Sequence, residues 1–178
     1  GFVSQTTAES FVSFQESERI IRQIRLPYSI YVFRVVWRNF IVFLHTIVIF
    51  VPVAIIYDVR PGMIALLAIP GLVLVYINQA WVTLSLAILC TRYRDVQQIV
   101  ATAIQIMLFA TPIMWPISAL GPAVIIAHIN PLHHLIEVVR APMLGEMPPA
   151  LSWVAVIVCA IAGWTFAILL LRRAARRP

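Results

Sequence analysis

The sequence predicts an all-α, polytopic integral membrane protein. It has four complete transmembrane helices, the end of a preceding one, a cytoplasmic amphipathic helix and two short re-entrant helices on the outer, periplasmic side. Three observations carry this reading. Of the 178 residues, 62% are apolar and 11% charged, whereas soluble domains average roughly 45–50% apolar and about 25% charged. Four runs approach or exceed the ~20 apolar residues that a helix needs to cross a ~30 Å hydrocarbon core. The arginines gather in alternate connections between those runs.

The runs are 40–57, 63–90, 99–120 and 150–171, and none contains Asp, Glu or Arg. Buried helices of soluble proteins rarely extend so far without a charge, and four in series point to a membrane. Asn78 and Gln79 in the second run and Gln105 in the third are amides in an apolar setting, as His45 is an imidazole in the first. Such groups either pair across helices, at about 1 kcal/mol each, or line a pathway. Trp37, Tyr57, Trp115 and Trp153 sit near span ends, where interfacial anchoring explains them. An aromatic face also suits a sugar ring, so Trp115 joins Asn78, Gln79 and Gln105 as a candidate for lining a channel.

All thirteen cations are arginine, and there is no lysine. The chain therefore offers no lysine for a phosphate-binding loop, a Schiff base or a tuned general base. ATP, if used, binds elsewhere, and no cofactor is expected. A pI near 10.2 would point to nucleic acid in a soluble protein. Here topology accounts for the charge, so no nucleic-acid partner is expected. Arg19, Arg22, Arg25, Arg34 and Arg38 precede the first run, Arg92 and Arg94 follow the second, and Arg172, Arg173, Arg176 and Arg177 follow the fourth. If those segments are cytoplasmic, only Arg60 and Arg140 lie outside, and the C-terminus ends in the cytoplasm. In the Arg92–Asp95 turn, Asp95 is placed to cap the next helix.

Outside the spans, residues 14–31 put Ile20, Ile21 and Ile24 at helical spacing, with Glu16, Glu18, Arg19, Arg22 and Arg25 between them. That pattern predicts an amphipathic helix ended by Pro27, either lying on the membrane or docking a cytoplasmic partner. Residues 121–149 are broken by Pro122, Pro131, Pro142, Gly145, Pro148 and Pro149 into apolar pieces too short to cross. Re-entrant backbone fits them, since it is tolerated where protein or a water-filled cavity covers it. Within them Asn130, Pro131, His133, His134, Glu137 and Arg140 are candidates for an outer gate. His133, His134 and Glu137 also share one helical face, as an intramembrane enzyme or a zinc site would require. No hydrolase motif accompanies them, and pairing of Glu137 with Arg140 is the plainer reading. Cys90 and Cys159 read as reduced packing residues. Residues 1–13 fit the inner end of a span. The chain opens without a methionine, so an N-terminal portion is expected to precede it.

Four segments acquire a common meaning in series: ERIIRQIRLPYSIYVFRVVWRNF, CTRYRDVQQIV, FATPIMWP and INPLHHLIEVVRAPMLG. In that order and spacing they resemble the ABC-2-type permeases that export O-antigen, capsule and teichoic-acid polysaccharides. The resemblance implies one permease domain over 1–178 in the bacterial inner membrane, among membrane lipids and without catalysis of its own. It implies a homodimer with two copies of a separate ABC ATPase subunit, and a polysaccharide or lipid-linked glycan passing between the permease copies. It makes the helix near 15–26 the coupling helix that docks the ATPase, through Glu16, Glu18, Arg19, Arg22 and Arg25.

Overall fold

The computed structural model describes residues 2–9, 28–59, 62–93, 95–111 and 129–175. Among these every regular element is helical. In chain order they are α1 (residues 2–9), α2 (Tyr28–Val48), α3 (Phe50–Ile56), a 3₁₀ turn (Gly62–Leu67), α4 (Ala68–Arg92), α5 (Val96–Ala110), α6 (Pro131–Met143) and α7 (Ala150–Ala175).

Three stretches are long and apolar enough to cross a membrane: Val32–Ile56, Gly62–Cys90 and Ala150–Ala174. The first begins well before the expected residue 40, because Arg34 and Arg38 lie inside α2 rather than ahead of it. Arginine tolerates this near a helix end, where its long stem carries the guanidinium to the interface. The same stretch is helical in two pieces. Pro52 has no N–H for the Val48 carbonyl, and its ring crowds that carbonyl, so the helix breaks one turn earlier. The Ile49 amide donates instead to Thr46 O at 3.2 Å, a tighter turn. The C-terminal end of this stretch closes where Val59 N reaches Ala54 O at 2.9 Å and Asp58 takes φ +50°, a left-handed cap that Asp tolerates better than most residues.

Of the run expected at 99–120, α5 covers 15 residues to Ala110. Residues 112–128 lie outside the described part. Of residues 121–149, expected on the outer side, the structure describes α6, which at 13 residues is too short to cross hydrocarbon. Both its ends are closed. The Asn130 side chain accepts from Leu132 N at 3.0 Å, with Pro131 in the first turn. At the far end Gly145, at φ +82°, lets Glu146 N reach Ala141 O at 2.9 Å.

Helix α4 is the centre. It packs against α2, α5, α6, α7 and the 3₁₀ turn. The core joins Val32 and Val36 of α2, Val75, Leu84 and Ala87 of α4, Val138 and Val139 of α6, and Val156 and Ala167 of α7. Lipid is as apolar as these side chains, so burial among helices is stabilised by close contact rather than by escape from water. The sequence provides for it with small residues. Ser152, Val156, Ala160, Gly163 and Ala167 form the buried stripe of α7, while Leu151, Val154, Val158, Ile161 and Leu169 on its other side are exposed. At Gly163 a β-carbon would overlap the Trp81 ring, and at Gly71 it would overlap the Val138 carbonyl.

Candidate functional site

The amides singled out in the apolar runs are placed in two different ways. Asn78 and Gln79 are buried in α4. Asn78 Nδ2 donates to Leu74 O at 2.9 Å and to Val156 O of α7 at 3.2 Å, and its Oδ1 accepts from Trp81 Nε1 at 3.1 Å. Gln79 Nε2 donates to Thr7 Oγ1 of α1 at 3.4 Å. Each side chain makes one hydrogen bond to a second helix, Asn78 to α7 and Gln79 to α1.

Gln105 is exposed on α5, with Gln98 and Thr102 on the same side of the helix. At 100° per residue the three fall within a ~60° arc, and Ala101 borders it. Thr102 Oγ1 donates to Gln98 O at 3.0 Å, which leaves its oxygen lone pairs outward. The stripe is ~10 Å long. An amide facing hydrocarbon costs free energy, so a stripe of this kind belongs against protein or water.

Helix α6 buries His133 and His134 with Leu132, Val138 and Val139. The imidazole centroids are 5.3 Å apart, and His134 Nδ1 shares a 3.0 Å hydrogen bond with Ser152 Oγ of α7. Glu137 is half-buried and Arg140 exposed. No ion pair joins Glu137 to Arg140 among the described residues. Nor do three His, Cys, Asp or Glu side chains converge there as metal ligands would. What α6 does hold is a junction. Asn130, buried, caps α6 with its oxygen and donates from Nδ2 to Met107 O at 3.0 Å and Thr111 Oγ1 at 2.8 Å. Thr111 Oγ1 itself donates to Met107 O at 2.7 Å. The last turn of α5, whose carbonyls have no amides to follow, is thereby fastened to the first turn of α6.

A second polar cluster has no counterpart among the sequence candidates. Glu9 at the end of α1 pairs with Arg38 of α2, accepts from Asn39 Nδ2 at 2.6 Å, and accepts from Gln5 Nε2 at 3.3 Å. Asn39 is buried and also donates to Val35 O at 3.1 Å. Glu9 and Arg38 are 29 residues apart, and no local pattern announces a pair at that separation. The docking candidates Glu16, Glu18, Arg19, Arg22 and Arg25, and the channel candidate Trp115, lie outside the described residues.

No curated protein matches the chain. Residues 1–144 match the family model of the ABC-2 type transporter. That is most of the chain, from α1 through α6, and the chain belongs to the ABC-2 type transporter family.

Proposed function

We propose that the chain is the permease subunit of an ATP-driven exporter that moves polysaccharide or lipid-linked glycan outward across the bacterial inner membrane. Two copies form the path, and two copies of a separate ATPase subunit supply the energy. The observation that carries this reading is the Gln98–Thr102–Gln105 stripe, an exposed polar face on a helix whose other residues, Gln97 apart, are apolar. Amide and hydroxyl groups replace, one for one, the hydrogen bonds that a hydroxyl-rich polymer leaves behind in water. They carry no net charge that would hold it too tightly. The order of the four segments noted above supports the polysaccharide class within the family.

In this proposal residues 14–31 dock the ATPase, and Arg19, Arg22 and Arg25 with Glu16 and Glu18 make the contact. The ATPase moves the permease only through contacts that differ between its nucleotide states. Asn130, Pro131, His133, His134, Glu137 and Arg140 form the outer gate, where α6 swings or holds against α5 and α7.

The test is a pull-down of the full-length protein, solubilised gently from its native membrane. An ATPase with a phosphate-binding loop should co-purify, and should be lost when Arg19, Arg22 and Arg25 become Glu. A preparation that never recovers an ATPase sinks the proposal.

A further inference from the structure

The charged pair at the base of the first two helices does more than anchor them. Helix α1 is fastened to α2 at both ends. At one end the Phe2 ring stacks on Phe43 at 5.2 Å and meets Phe40 edge-on at 5.9 Å. At the other, seven residues and ~10 Å along, Glu9 is held by Arg38 and Asn39. From the same helix, Thr7 accepts from Gln79 at the middle of α4. Helices α1 and α2 are thus joined at both ends of α1, and α1 is bonded to the central helix.

We infer that Glu9, Arg38 and Asn39 form a transmission clamp. It makes α1 and α2 move as one body and passes that movement to α4 through Thr7 and Gln79. The inference rests on the reading of residues 14–31 as the ATPase-docking segment, and it names the residues through which that segment acts on the spans.

A simpler role for Arg38 is available. Its side chain is 66% exposed, and an arginine at this depth can reach lipid phosphates. An exposed ion pair alone contributes little. Two features favour the clamp. Asn39 is 3% exposed and points its amide at the same Glu9 oxygen, so the carboxylate is oriented rather than merely neutralised. A headgroup anchor also has no use for Glu9, which would repel the same phosphates. Coupling between distant sites needs an element with two arrangements that both sites bias. In the proposal those two arrangements are two positions of the α1–α2 pair as a whole, and the clamp keeps either helix from moving without the other.

The experiment compares Glu9→Gln, Arg38→Glu and the Glu9→Arg/Arg38→Glu double variant with the wild-type exporter, full chain and ATPase together in liposomes. It reads glycan exported per ATP hydrolysed and the thermal midpoint of the complex. Glu9→Gln leaves Arg38 free for lipid, so it separates the two roles. Export per ATP should fall about tenfold in each single variant, the factor equivalent to one charged hydrogen bond. It should recover substantially in the double variant, where the ion pair is rebuilt in reverse and Asn39 can turn its oxygen to the guanidinium. Thermal midpoints that fall in parallel with export, unrescued in the double variant, overturn the clamp in favour of a purely structural contact. Wild-type coupling in Glu9→Gln overturns it in favour of the lipid anchor. Both outcomes leave the exporter reading standing, whereas a wild-type preparation in which no ATP is hydrolysed removes both.

Discussion

Asn130 shows how much one short side chain can hold. Its oxygen caps α6 and its nitrogen ties down Met107 and Thr111 at the end of α5. Asn130→Ala removes both functions and should lower stability by about 1–2 kcal/mol, the usual cost of losing a helix cap, read as a shift in denaturant midpoint of the solubilised protein. Asn130→Asp keeps an equally good cap but has no N–H to give, and it sets a carboxylate against the Met107 carbonyl. It should therefore fail to restore stability, and recovery in the Asp variant would show that the cap alone matters. On the exposed face of α5 the opposite holds. Gln98→Leu with Gln105→Leu should leave unfolding nearly unchanged and slow glycan export in liposomes severalfold, since these side chains hold no other helix among the described residues. A large loss of stability instead would assign the stripe to packing.

At the scale of elements, the close approach of α6 and α7 to α4 is set by what two glycines lack. Gly71→Ala would place a methyl on the Val138 carbonyl, and Gly163→Ala would place one in the Trp81 ring. Backbone cannot step aside as a side chain does, and Trp81 is held by its bond to Asn78. Each substitution should cost about 1–3 kcal/mol through overpacking, and thermal unfolding in detergent checks it. Helices long and apolar enough to cross are legible in a sequence because a crossing helix must exclude charge. The runs at 63–90 and 150–171 lie within the stretches Gly62–Cys90 and Ala150–Ala174. The same rule misplaced the start of the first, because Arg34 and Arg38 can sit in a helix and still reach the interface. The roles of the amides were not legible. Asn78 and Gln105 look alike in sequence, and only packing separates an amide bonded across helices from one that faces outward. The pair of Glu9 with Arg38 was invisible for the same reason. It is made by two helices meeting, and sequence periodicity describes each helix alone.

At the scale of the whole molecule, the arginine pattern makes a topological statement that the spans must obey. The end of α7 at Arg172 and Arg173 and the turn after α4 should be cytoplasmic, and the turn at Asp58 should face outward. A cysteine placed at Asp58 in a background lacking Cys90 and Cys159 should react with an impermeant thiol reagent in intact cells, while one at Arg173 should react only after the membrane is opened. Reversed labelling would invert the exporter and make the proposed docking segment unreachable for a cytoplasmic ATPase. Apolar side chains exposed along α2 and α7 are the surface left for lipid and, in the proposal, for a second copy, while the polar stripe of α5 is poorly suited to lipid.

The notch at Gly163 also gives the molecule an optical reporter. Trp81 lies in it with its indole N–H bonded to Asn78, so its emission depends on how far α7 stands from α4. Five tryptophans are present, and replacing Trp37, Trp115, Trp153 and Trp164 with Phe leaves this one alone. Its fluorescence would then follow the separation of two helices at the heart of the protein in real time, without a dye and without knowing the cargo.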